Sequence, residues 1–422
     1  MKAKVALLTL SFALYAPAQN SPMPALQLSP AEQSLAAARK EIENKPDQFS
    51  GYNHLAIALS RRARETSDSS CYSQAEDALK KSLDLTPGNL ESEKIHIWLL
   101  LGRHEFSSAL EAAKALNKKN PDDVLVYGFM SDANAELGKY EEAENAVQWM
   151  LNLRPGNLPG LTRAAYLREL FGDVDGAYEL LDIAYKATPP TETEDRAWIL
   201  SQMGHLRFVA GKTDEADNIL KQALIIFPGY YYAQGNLAKV RIAQKRYEDA
   251  VVLMQLRYQA APHAENLYDL AETLKLAGRE DEAKKTFAEF ETQSLAESIR
   301  KDNSNHDLVF YYADHAQQPA QALKVAQQEY AWRHDVYTLD AYAWALHVNG
   351  QDTEARKQIE TALAIGIRDA SLLDHAGEIA LKLGDQTAAE RYLKDSAALH
   401  ANGSEQARLR LASLGQAAAV NR

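Results

Sequence analysis

A single cysteine, Cys71, in 422 residues rules out an intramolecular disulfide. Stability must therefore come from packing. Cys71 falls in the polar stretch 66–73, and a redox or nucleophilic thiol would want a nearby histidine and a third orienting group, so it reads as a loop thiol. Glycine and proline are sparse outside short turn signals, which with 46% hydrophobic residues argues against a disordered chain. Positive charge is also short: 46 Lys and Arg stand against 58 Asp and Glu, a net charge of -12. Such a surface repels phosphate backbones, so nucleic acid is not an expected partner. Beyond the N-terminus no apolar run approaches the roughly 20 residues a spanning helix needs.

What the chain has is a repeat. Residues 122–155, DDVLVYGFMSDANAELGKYEEAENAVQWMLNLRP, read as two amphipathic helices joined by a turn at Gly138. Val124, Tyr127 and Met130 recur at helical spacing, as do Ala143, Val147 and Met150, which predicts one apolar face on each helix. Neither face can be buried within so short a hairpin. Ala143 marks a close helix crossing, where only a methyl group fits, and Pro155 ends the second helix. The crossing alanine returns as Ala75, Ala109, Ala143, Ala177, Ala216, Ala250, Ala283, Ala322, Ala355 and Ala389, at steps of 33, 34 or 39 residues by subtraction. A proline follows twelve residues after each of the first six, at Pro87, Pro121, Pro155, Pro189, Pro228 and Pro262, and a chance run of alanines would not keep that second marker in phase.

With Tyr127, Ser131, Gly138, Tyr140, Ala143 and Pro155 in place, the unit resembles the tetratricopeptide repeat. The resemblance implies an all-α, right-handed superhelical solenoid of antiparallel helix pairs, one continuous body rather than several domains. It covers residues 49–297 as repeats one to seven and, in weaker form, residues 307–403 as repeats eight to ten; after Pro262 the closing-proline positions become Leu295, His334, Ile367 and Ala401. An N-terminal capping helix is expected within 30–48, a hinge at 298–306, and a C-terminal capping helix and tail over 404–422. The insertion 190–194 is expected to lengthen the loop into repeat five. Residues 1–18, with Lys2 and Lys4, an apolar run and small residues at Ala16 and Ala18, have the layout of a secretory signal peptide cut before Gln19, followed by a flexible lead-in over 19–29. Losing the two lysines takes the net charge to -14. The expected location is therefore outside the cytoplasm, the periplasm of a Gram-negative bacterium first.

No motif makes a convincing enzyme. Gly211-Lys212-Thr213 resembles the end of a phosphate-binding loop, but Leu206 stands where that loop needs a glycine. Ser298 and Lys301 have Ser-x-x-Lys spacing without companion motifs. His306, Asp314, His315, His334 and Asp335 follow no metal-ligand spacing, so neither a metal nor a cofactor is expected.

The resemblance also implies an inner, concave wall built from the first helix of each repeat. It places Trp98, Tyr166, Trp198, His205, Phe208, Tyr232, Tyr268, Tyr337, Trp344 and His347 toward a groove, with Lys239 beside them. Aromatic side chains supply large contact area at little rotamer cost. Single members can instead belong to the core of an imperfectly aligned repeat. Lys94, Arg163, Asn236 and Lys239 lie in different repeats and do not form the carboxylate clamp the family uses for peptide C-termini. The expectation is a non-catalytic scaffold that takes a peptide, helix or folded partner, Lys239 pointing to an acidic group on it. A structural or accessory subunit of a cell-envelope assembly or glycan-export complex is the alternative, and the outer face is the alternative docking surface.

Overall fold

The computed structural model describes residues 28–68, 70–298, 304–399 and 409–412, among which there is no strand. The expected signal peptide and nearly all of the lead-in lie outside them, as do most of the hinge and all but four residues of the C-terminal helix. Helix α1 (Pro30–Asn44) precedes the array, started by a capping box in which the Ser29 hydroxyl accepts from the Glu32 amide and Glu32 accepts from Ser29. The repeats follow in pairs: α2 (Phe49–Thr66) and α3 (Ser70–Leu85), α4 (Leu90–Gly102) and α5 (Phe106–Lys119), α6 (Val124–Glu136) and α7 (Tyr140–Leu153), α8 (Leu158–Leu170) and α9 (Val174–Ala187), and α10 (Thr193–Val209) and α11 (Thr213–Ile226). Next come α12 (Tyr231–Ala243) and α13 (Tyr247–Ala260), then α14 (Ala264–Leu276) and α15 (Glu280–Glu297). In the eighth repeat α16 (His306–Phe310) runs into a π-helical turn (Tyr311–His315) before α17 (Pro319–Tyr330). The array ends with α18 (Val336–Val348), α19 (Asp352–Leu363), α20 (Ala370–Lys382) and α21 (Gln386–Ala398).

Each second helix packs against its own first helix, and most also pack against the first helix of the next repeat, while α15 meets the eighth repeat through Phe287 and Phe290 against Tyr311. That double contact is why one residue size recurs at the crossing: all ten crossing alanines are 0–2% exposed. It also shifts the buried face of α6. Ala143, Val147 and Met150 are buried as the spacing predicts, but on α6 the core is Val126, Phe129 and Ala133, while Val124, Tyr127 and Met130 are only half-buried. The first helix must satisfy the preceding second helix as well as its own, so its apolar stripe is rotated from the one a lone hairpin would use. Tyr127 instead stacks on Trp149, ring centroids 6.0 Å apart.

Two further expectations change. Cys71 is buried in the first turn of α3, not in a loop, and burial, then the charge of Asp68, pushes its thiol pKa up. The insertion before repeat five does not simply lengthen a loop, because Thr193 and Glu194 belong to α10 and Glu194 is buried.

The superhelix winds tightly enough that successive turns touch. The α6–α7 turn meets the connection between α17 and α18: Gly138 lies against the His334 carbonyl, the Val336 amide donates to the Tyr140 hydroxyl at 2.9 Å, and Arg333 reaches Glu136 at 3.3 Å. One repeat on, Gly172 lies against the Gly366 carbonyl. Near the N-terminus Arg61 pairs with Glu192 at 2.5 Å, and Arg64 pairs with Glu194 and with Asp195, the latter at 2.7 Å. Edges that would stay open in a loosely wound solenoid are thus joined, and the first helices line an interior channel.

Candidate inner-wall binding site

Tyr166, Tyr232 and Tyr337 keep about 40% of their surface accessible, yet each is surrounded by groups from distant repeats. Burial, then Glu136, Tyr337, Tyr140 and Asp335, push the Tyr166 phenol well above its usual pKa. The Tyr337 phenol is raised in the same way, by burial and then Asp369, Glu169, Tyr140 and Asp335. Residues of repeats three, four, nine and ten therefore face one interior space, which only the closure of the superhelical turn brings together.

The other sequence candidates divide. Trp198 is half-buried against the core of repeats four and five. Phe208 packs toward the core formed by Ala216, Leu220, Leu237 and Val240, and Trp98 toward that of repeats two and three, so both are part of the helix packing. Lys239 is exposed on α12. His205 Nε2 lies 2.7 Å from Glu169 Oε1, joining repeats four and five across the inner wall. Tyr232 stacks on Tyr231 at 4.3 Å, and the Tyr230 hydroxyl donates to Glu194 at 2.7 Å, which ties the tyrosine triplet to the Arg64 contact.

A second group extends beyond the residues the sequence singles out. Trp344 stacks on His375 at 4.3 Å and lies 4.9 Å from His347, and its indole N–H donates to Asp314 at 2.9 Å. His375 pairs with Asp340 at 2.7 Å and lies 5.5 Å from Phe310; His306 lies 6.4 Å from Phe310 and 6.3 Å from Tyr337. Tyr337, His306, Phe310, His375 and Trp344 thus form a run of neighbouring rings along repeats eight to ten. Sequence alone singles out His306 only as a candidate metal ligand and passes over Phe310, because the π-helical turn interrupts the eighth repeat; His375 does not fall at one of the inner-wall positions of its repeat.

Carboxylates are the other missed component. Tyr268 on α14 has its pKa raised well above the usual value by burial and then by Glu272, Asp307, Asp314 and Asp269. Burial also raises the Asp307 carboxyl to about 6, with His306 opposing and Asp269 and Glu265 adding to the shift. The pattern was available in the sequence, where acidic residues recur on the first helices beside the aromatics, but an aromatic search passes over it.

The residues weighed as a carboxylate clamp are mostly engaged elsewhere. Lys94 pairs with Glu91 and Asp123, Arg163 with Asp132, and the Asn236 amide donates to the Ser201 carbonyl. Gly211 and Lys212 form the α10–α11 turn, and Lys212 borders a cleft of about 260 Å³ that includes Gly172, Asp173 and Arg368. Lys301, of the Ser-x-x-Lys spacing, lies outside the described residues. His334 and Asp335 belong to the turn-to-turn contact, and Asp335 caps α18. Among the described residues no three His, Cys, Asp or Glu side chains are placed to hold a metal ion, and no helix is long and apolar enough to cross a membrane.

This arrangement of stacked helix pairs is matched outside the chain. A family model described as Tetratricopeptide repeat matches residues 208–265, from the end of α10 into α14. No curated protein matches the sequence. Among solved structures, the human IFIT1 dimer with m7Gppp-AAAA has a TM-score of 0.51 at 13% identity, covering 86% of this chain and 85% of that one. The human IFIT1 dimer with PPP-AAAA has a TM-score of 0.49 at 14% identity, over 92% and 96%. PilW, a widely conserved type IV pilus biogenesis factor, has 0.41 at 14% identity, over 50% of this chain and 96% of its own. At these identities the likeness is one of fold. With the family match over residues 208–265, the in-phase alanines and the helix pairs together, the chain is an all-α solenoid of tetratricopeptide-like helix pairs.

Proposed function

We propose that the chain is a non-catalytic scaffold that holds a segment of a protein partner, a peptide or a helix, against the aromatic inner wall of its superhelix. The observation that carries this reading is the state of Tyr166, Tyr232 and Tyr337, which lie on first helices and remain about 40% accessible. Large aromatic surface kept from the core and lined up along one wall is what a binding hot spot requires. The net charge of -12 supports a protein over a nucleic acid as partner. An exported, periplasmic location belongs to the proposal and rests on the layout of residues 1–18.

The test is capture from the periplasmic fraction of a Gram-negative host, with the wild type beside Trp198→Ala and Tyr232→Ala. Truncating a hot spot commonly costs about 2 kcal/mol or more, so a partner held by the inner wall is retained at least about tenfold less well by Trp198→Ala. Circular dichroism should show unchanged helix content. Retention by both folded variants removes the inner wall from the proposal. Mass spectrometry of the same preparation reads the N-terminus, expected at Gln19; an intact Met1 overturns export.

A further inference from the structure

The lining of repeats seven and eight is unlike that of repeats four to six. On α14, Glu265 and Glu272 stand about one turn either side of Tyr268, Glu265 exposed and Glu272 half-buried. Asp269 lies on the same helix, Asp307 on α16 and Asp314 in the π-helical turn. Two fixed cations lie nearby. Arg257 binds Asp269 and lies 3.7 Å from Glu265, and Lys275 approaches His315 at 3.4 Å. The imidazoles of His306 and His315 sit among them, His306 at 3.3 Å from Asp307 and His315 at 2.5 Å from Glu272. Carboxylates therefore outnumber fixed cations around the Tyr268 ring, and Trp344 brings a second ring to the same place through its hydrogen bond to Asp314. Carboxylates next to the π-faces of Tyr and Trp attract a cation twice, through charge and through the ring quadrupole.

Resting on the inner-wall reading above, we propose that the wall of repeats seven and eight selects a basic partner segment, whose arginine or lysine lies over Tyr268 among Glu265, Glu272 and Asp314 while a neighbouring apolar residue takes the ring of Trp344. This reverses the expectation drawn from Lys239. That side chain lies a repeat away on α12 and brings one positive charge, against the four carboxylates, Glu272, Asp307, Asp314 and Asp269, that act on Tyr268. Guanidinium fits best, because its planar fork can bond a carboxylate and stack on a ring at once.

The probe is a fluorescein-labelled dodecapeptide in which arginine alternates with leucine and tryptophan, compared with the same peptide carrying glutamate, or glutamine, in place of arginine. Fluorescence anisotropy should show the arginine peptide binding at least about tenfold more tightly than either, with the advantage shrinking as salt screens the exposed charges. The triple variant Glu265→Gln/Glu272→Gln/Asp314→Asn should lose about tenfold in affinity for the arginine peptide. A control that neutralises the same number of charges on an outer helix, Glu141→Gln/Glu142→Gln/Glu144→Gln, should bind like the wild type. Circular dichroism checks that both triples are folded. Equal binding of the glutamate peptide, no binding of the arginine peptide, or equal losses in the two triples overturns the proposal. The capture experiment with Trp198→Ala does not depend on ligand charge, so it decides the underlying reading separately.

Discussion

Asp307 carries in one side chain the tension of the channel lining. Its carboxylate is desolvated and crowded by Asp269 and Glu265, and only the imidazole of His306, 3.3 Å away, and Arg257 oppose the shift to about 6. The linkage has a definite sign. A carboxylate raised in the folded state from 3.8 to about 6 contributes stability that is fully present below pH 3.8 and lost as pH rises through about 6. His306 is also raised: burial lowers it, but Asp307, Glu329, Asp335 and Glu265 prevail. Its contribution is present below its unfolded value of 6.5 and is likewise lost as pH rises through the folded value. Both groups therefore weaken the fold between pH 5 and pH 8. Asp307→Asn keeps the shape, removes one titration and relaxes the other. Thermal melting should place it above the wild type at pH 8, by about 1–3 kcal/mol, and closer to it at pH 5. A stability difference that does not change between the two pH values contradicts the assignment.

At the scale of the helix pair, what could be read from sequence is what local physics determines. Ala143 and its nine counterparts are invisible as chemistry but decisive as volume, and their phase with the prolines gave the repeat boundaries through Pro262. The family register alone implies an inner-wall position for Trp198, Tyr166 and Tyr337. Phe208 and Trp98 came out of the same register, yet pack with the core, because a position on a first helix can face the neighbouring repeat as well as the channel. The missing information is the winding. No residue within one repeat states that the turn at Gly138 will press on His334, nearly two hundred positions later. Two glycines at equivalent turn positions isolate this effect. Gly138 and Gly278 both have φ of +75°, but a Cβ at Gly278 meets nothing within 4 Å, whereas one at Gly138 collides with the His334 backbone. Both alanine variants lose about 1 kcal/mol to the left-handed conformation. Gly138→Ala should lose roughly 1–3 kcal/mol more in urea unfolding, and small-angle scattering should show a larger radius of gyration for it alone. Equal costs and equal radii would mean that the turns do not touch.

For the whole molecule, closure turns a repeated surface into a bounded one. A loosely wound solenoid offers its concave face along its full length. Here Arg333 with Glu136, and Arg61 and Arg64 with Glu192, Glu194 and Asp195, join edges of successive turns, so a ligand reaches the inner wall through the channel or by opening these contacts. Binding should then order the first helices and leave the outer ones largely as they were. Hydrogen exchange read by mass spectrometry, on the chain alone and with its captured partner bound, measures this directly. The account predicts slowed exchange concentrated in α8, α10, α12, α14 and α18, in the peptides that carry Tyr166, Trp198, Tyr232, Tyr268 and Tyr337. Slowing confined to α9, α11 and α13, with those five peptides unchanged, would contradict it and place the partner on the outer face.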